Sequence, residues 1–132
     1  MKTALKFVYP PVKPGQYTTV RHGDVHINPQ FDICDKKGRK VGTGRIIRVF
    51  HPQFHMLRAR DIAKEHEPQC RTWEGLRDAM RHYYPDFRMA DVVTVVDFEV
   101  LPGLCRHCAK CDRSEAACRC RVPELIEREA KP

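Results

Sequence analysis

The chain is short of several things, and each shortage narrows what it can be. It has no long apolar run. The longest, near Val92–Val96, is far below the roughly 20 residues a membrane span requires, so no membrane partner is expected. Met1–Pro10 has two lysines but lacks a long apolar core and a small-residue cleavage site. It reads as mature sequence of a cytosolic or nuclear protein, with the cytoplasm as the expected compartment. There is one tryptophan, Trp73, and a lone Trp at a helix start is more often a packing anchor than a base-stacking surface. Cysteine is scarce over the first hundred residues, where only Cys34 and Cys70 occur. The total of seven is odd and clustered at one end, which does not fit a secreted disulfide framework.

The last shortage is of acid. From Lys36 to Arg60 there is no Asp or Glu, while Lys36, Lys37, Arg39, Lys40, Arg45, Arg48, Arg58 and Arg60 fall in that stretch. The whole chain carries a formal charge of +7 and a pI near 9.2. Excess cation is an argument about partners rather than fold. An all-positive run of this length points to a polyphosphate such as RNA or DNA, against the alternative of an ordinary soluble basic protein.

A length of 132 residues fits one main domain plus an appendage. Strands are predicted at Ala4–Tyr9, Tyr17–Arg21, Phe31–Cys34, Val41–Phe50 and Val92–Leu101, with a loop over His22–Gln30 and a turn at Asp35–Arg39. The Phe31–Cys34 and Val41–Phe50 strands should pair antiparallel. Gly42 and Gly44 mark a bulge, a bend or a close backbone approach in the second of them. Val92, Val96, Phe98 and Val100 should point one way and Asp97 and Glu99 the other. Asp61–His66 reads as a short helix. Trp73–Tyr84 is the best helix, with Thr72 as N-cap and a core stripe of Trp73, Leu76, Met80 and Tyr83. Pro102–Gly103 breaks the chain, so the domains are placed at 1–101 and 102–132. The fold class is α+β: a small, partly closed β-barrel with two flanking helices and a short cysteine-rich tail.

The segments Thr18-Thr19-Val20-Arg21, the Phe31–Val49 hairpin, Glu65-His66, Thr72-Trp73-Glu74-Gly75-Leu76, Tyr83-Tyr84-Pro85 and Val95-Val96-Asp97-Phe98 resemble, in order and spacing, the ASCH domain of the PUA-like superfold. The resemblance covers roughly residues 4–101. It implies a β-barrel with a cleft suited to RNA or a nucleotide. Some small bacterial members look like amidohydrolases acting on acetylated cytidine, using a Lys, a Thr nucleophile and a Glu. Thr19 and Arg21 match the Thr and an accompanying Arg. The Lys position is Gln16 and the Glu position falls at about Gln69. An amide cannot act as a general base, so catalysis would need a substitute such as Lys13 or Glu67.

On the basic face, Lys36, Lys37, Arg39 and Lys40 crowd the hairpin turn, where they would release counterions from a phosphate backbone. Arg45 and Arg48 lie on opposite faces by parity unless a bulge near Gly44 resets the alternation. Arg21 or Arg45 could hold a base edge or phosphate bidentately. The absence of a basic recognition helix favours RNA or single strands over duplex DNA. Tyr17, Phe31 and Phe50 are either stacking residues or core.

The tail reads Cys105-Arg-His-Cys108-Ala-Lys-Cys111, then Cys118-Arg-Cys120. Two close thiolate pairs are what tetrahedral zinc needs, with CxxC turns presenting two sulfurs together, and structural zinc would supply folding energy that so short a tail lacks. The preferred ligands are Cys105, Cys108, Cys118 and Cys120, with Cys111 as an alternative and His107 a further possible donor. Pro123–Ala130 reads as a short amphipathic helix. The leading expectation is therefore a barrel that binds RNA or single-stranded nucleic acid with help from a zinc knuckle. The alternatives are a hydrolase working through Thr19 and an adaptor whose tail contacts another protein.

Overall fold

The computed structural model describes residues 1–102 in full and the backbone of 104–108 and 125–129. The chain divides into two compact units, Met1–Leu101 and Pro102–Pro132. The first is α+β. Five strands, β1 (Lys2–Lys6), β2 (Gly15–His22), β3 (Ile27–Cys34), β4 (Lys40–Phe50) and β5 (Val93–Val100), form one mixed sheet in the order β1-β3-β4-β5-β2. β1 runs parallel to β3, and the other neighbours are antiparallel. A short helix α1 (Ala59–Ile62) and the longer α2 (Trp73–Tyr83) lie between β4 and β5, with 3-10 turns at Phe54–Met56 and Pro68–Arg71.

The sheet does not close into a barrel: β1 and β2 are its two edges and no ladder joins them. The exposed edge of β2 is instead covered by the chain after α1. The Thr18 N–H donates to the Lys64 carbonyl at 2.8 Å, and the Thr18 carbonyl accepts from His66 N–H at 3.0 Å. This satisfies an edge that would otherwise template aggregation and brings residues 64–67 alongside β2.

Two cores form because the sheet is covered on both faces at one end. Leu5, Phe7, Ile27, Phe31, Ile33, Val96, Phe98 and Val100 form the core on the inner side. Val20, Val93 and Val95 face outward and are covered by Phe54, Leu57, Ile62, Leu76 and Met80. Val93–Val96 is therefore buried on both faces, which explains an apolar run where strict alternation fails. Further along, the outer face carries Asp97 and Glu99. Val92, expected inward, precedes β5 and is exposed, making only an isolated bridge to Gln53.

α2 starts where its sequence directs. The Thr72 hydroxyl accepts from Gly75 N–H at 3.1 Å, and Leu76 and Met80 are buried. Tyr83 is 44% exposed, so the predicted stripe leaves the core at its last member. β3 begins at Ile27, inside the predicted loop. Pro29 hid it, but no registered partner faces Pro29 in either ladder, so its missing N–H costs no sheet hydrogen bond. At Gly44 a Cβ would stand 2.4 Å from the Phe31 ring: of the readings offered for that glycine, close approach is the one realised.

The second unit contains a two-stranded antiparallel pair, β6 (Leu104–Cys108) with β7 (Leu125–Glu129). β7 replaces the expected helix over Pro123–Ala130. So short a segment cannot hold a helix alone, whereas cross-strand pairing satisfies its backbone.

Candidate functional site

A cavity of about 260 Å³ opens beside β2, walled by β1, α2 and the residues after α1. Its polar lining comes from Thr19, Arg21, Glu65, His66 and Glu67, and its apolar lining includes Phe7, Val8, Leu76 and Met80, with Tyr83 and Tyr84. Thr19 is buried, as are Glu65 and Glu67. Buried glutamates are rare without partners. Here they flank one imidazole, since the His66 Nδ1 meets Glu65 Oε1 and its Nε2 lies 3.5 Å from Glu67 Oε1. Glu65 Oε1 also accepts from Glu67 N–H at 3.1 Å, and Glu67 Oε2 accepts from the Gln69 amide at 2.7 Å.

Arg21 spans the gap that the sheet leaves open. Its Nε donates to Thr19 Oγ1 at 3.2 Å and its NH1 donates to the Lys6 carbonyl at 2.8 Å. The guanidinium lies 4.5 Å from the centre of the Phe7 ring, a cation–π contact. Burial pulls the Arg21 guanidinium below its ordinary range, opposed by Tyr84, Glu65 and Glu67. No carboxylate pairs with it directly among the described residues. Cys70 also lines the cavity, and burial, with the two glutamates adding to it, pushes its thiol up to about 12. That makes it an inert wall rather than a nucleophile. Burial likewise raises Tyr83, with Glu67 next in importance.

The resemblance placed a Glu near Gln69 and a Lys at Gln16. Gln69 is not in the cavity lining, whereas Glu67, two residues earlier, is. Gln16 lines a different cavity. Lys13 lines neither, and its carbonyl accepts from the Tyr17 hydroxyl at 3.0 Å. Lys6 borders the site, but its Cε lies 3.6 Å from where a Gly38 Cβ would stand, so its ammonium end is directed toward the hairpin turn. Thr19 has an arginine donor, and among the described residues no carboxylate hydrogen-bonds its hydroxyl. Glu65 and Cys70 were not singled out as site residues. Glu65 was visible only as part of the family pattern, and nothing in its neighbourhood announced its burial.

The expected basic residues are distributed over two places. Lys36, Lys37, Arg39 and Lys40 sit at the β3–β4 turn, which Lys6 connects to the cavity rim. Arg45 and Arg48 share the outer face of the sheet. A bulge does reset their alternation, at Ile47 rather than near Gly44: Arg45 faces Glu99 while Arg48 faces Asp97. The same residues acquire carboxylate partners that the sequence run lacks. Arg45 pairs with Glu99, Arg48 with Asp97 at 3.0 Å, Arg39 with Asp35 at 2.8 Å and Lys40 with Asp32 at 3.2 Å. Of the possible stacking residues, Phe31 is core. Tyr17 packs against Phe98, and Phe50 lies under Arg48 at 4.3 Å.

Cys105 and Cys108 fall on β6, where the sequence reading expects a turn. Cys111, Cys118 and Cys120 lie outside the described residues. Among the described residues no three His, Cys, Asp or Glu side chains are placed to hold a metal ion, and no helix is long and apolar enough to cross a membrane. Comparison with protein-family models, with curated proteins and with solved structures found no match.

Proposed function

We propose that the first unit is a PUA-like module of the ASCH type that binds single-stranded RNA, seating one unstacked base in the cavity beside Arg21. The observation that supports this best is the junction at Lys6. Its carbonyl receives Arg21 while its side chain reaches Gly38, so a polar cavity and a lysine-rich turn are immediate neighbours. Phosphates would be drawn to Lys6, Lys36 and Lys37. The cavity itself holds two carboxylates and is a poor place for a phosphate. It suits a base, whose amino hydrogens the carboxylates accept and whose ring acceptors Arg21 donates to. About 260 Å³ lies just below the usual range of about 300–1,000 Å³ for ligand pockets, a size for one base rather than an extended ligand. In the second unit, the proposed role of Cys105, Cys108, Cys118 and Cys120, with Cys111 as alternate, is to hold a structural zinc. Metal analysis of the purified protein tests that part.

The binding test is fluorescence anisotropy with a mixed-sequence single-stranded RNA and a duplex DNA of equal length. RNA should bind at low salt and release steeply as salt rises. No binding to RNA at low salt, or a preference for the duplex, would refute the reading.

A second reading, hydrolysis of a modified nucleoside such as acetylated cytidine, is favoured by one observation. Thr19 shares its cavity with Glu65 and Glu67, and either carboxylate could serve as base if it reached the hydroxyl. Turnover of acetylated cytidine that Thr19→Ala abolishes would establish it, and no turnover leaves the binding module.

A further inference from the structure

Lys64 and Glu65 are consecutive, yet they face different cavities. Glu65 lines the one already described, and Lys64 lines another of about 200 Å³, together with Gln16, Thr18, Ile47, Arg60 and Asp97. The division follows from the strand. Thr18 and Thr19 alternate across β2, so Thr19 faces the first cavity and Thr18 the second. The segment hydrogen-bonded along the β2 edge separates the two.

The chemistry of the second cavity is the reverse of the first. Its one carboxylate among the described residues, Asp97, is occupied twice over, accepting from Thr18 Oγ1 at 2.7 Å and from Arg48 Nε at 3.0 Å. Arg60 and Lys64 are both exposed. Among the described residues neither has a carboxylate within ion-pairing distance, and Lys64 makes only a 3.3 Å bond to Gln16 Oε1. The four cations that pair with Asp32, Asp35, Asp97 and Glu99 have already exchanged part of their counterion atmosphere for protein carboxylates, and Arg60 and Lys64 have not.

We propose that this second cavity is a phosphate subsite, with Arg60 and Lys64 holding the phosphodiester of a nucleotide next to the one whose base enters the first cavity. The assignment rests on the RNA-binding reading above. It gives the bound strand a course over the β2 edge: a neutral-to-acidic cavity for a base on one side, a cationic one for backbone on the other. The Ile47 bulge contributes by turning Arg48 onto this face, where it neutralises Asp97.

The experiment is the salt dependence of single-stranded RNA affinity for the full chain and for the double variant R60Q/K64Q. Both side chains are exposed, so the fold is retained. Losing two phosphate contacts should reduce the log–log salt slope by about 1.4, at about 0.7 per contact on a single strand. At 0.1 M salt, relative to 1 M, that corresponds to about 25-fold weaker binding. A parallel titration with inorganic pyrophosphate, followed by amide chemical shifts, should move Gln16, Thr18 and Lys64 in the wild type. If RNA binds and the variant keeps both slope and affinity, the subsite is wrong and the RNA reading stands. If RNA does not bind but pyrophosphate moves those amides, the RNA reading is wrong and the anion site stands. If neither ligand is bound, both are wrong.

Discussion

Replacing Gly75 with alanine should destabilise the first unit, although helix propensity alone argues the opposite. In an ordinary helix interior, Gly→Ala gains roughly 1 kcal/mol. At this position a Cβ would stand 1.8 Å from the Gln69 carbonyl oxygen, 3.0 Å from its carbon and 2.9 Å from Thr72 Oγ1. A comfortable carbon–oxygen contact is about 3.3 Å or more, and the obstructing atom is backbone, which cannot rotate aside. Either α2 or the Pro68–Arg71 turn must move by more than an ångström. Overpacking of this kind costs about 1–3 kcal/mol or more. Displacing the Thr72 cap adds about 1 kcal/mol. After the propensity gain is subtracted, a net loss of about 1–3 kcal/mol remains, using those same ranges. For a unit of this size that lowers Tm by about 5–20 °C. The assay is thermal unfolding followed by circular dichroism. A G75A protein melting at or above the wild-type temperature would refute the packing argument. The consequence reaches the cavity, because the turn that must yield carries Cys70 and adjoins Glu67.

Three further outcomes follow from the same geometry. Cys70, raised from 9.0 to about 12, should carry about a thousandfold less thiolate than an ordinary cysteine at pH 8; alkylation of Cys70 by iodoacetamide at the rate of a free-cysteine peptide would contradict it. Because its folded value is the higher one, the linked stability is present in full below pH 9.0 and is lost as pH rises toward about 12. Asp91 is held below its usual 3.8, first by its hydrogen bond from His22 and then by Arg88 N–H. Its contribution should therefore persist above pH 3.8 and fade as pH drops through the depressed value, and Asp91→Asn should flatten that acid limb in a pH series of melts. Glu99→Gln should free Arg45 from its partner and strengthen RNA binding about fivefold at 0.1 M salt relative to 1 M, one contact's worth; unchanged anisotropy titrations would show that Arg45 does not meet the strand.

Where local pattern and tertiary outcome agree, the sequence was a good guide. Thr72 caps α2, Leu76 and Met80 enter the core, and Val96, Phe98 and Val100 face inward from β5, because each of these follows from periodicity within a dozen residues. Other features depend on partners far along the chain. Arg45 meets Glu99 and Arg48 meets Asp97 only after β4 and β5 pair, so an acid-free stretch of sequence becomes a face of mixed charge. The Ile47 bulge, which makes that pairing possible, has no glycine or proline to announce it. Glu65 and Glu67 are the clearest case. No local pattern announces their burial, which arises because the segment is bonded along β2 and walled by α2. Arg21 was legible as a contact residue. That it would also bridge the two edges of an open sheet was not, since its bond to the Lys6 carbonyl depends on where β1 and β2 come to lie in the folded sheet.

The most direct test of the account is a map of backbone amide shifts in the full chain as a short single-stranded RNA is added. The account predicts that the largest changes fall on Thr19, Arg21, residues 64–70 and Tyr83, with smaller ones at Lys36 and Lys37. Changes confined to other surfaces, with the cavity amides unmoved at saturating RNA, would contradict it.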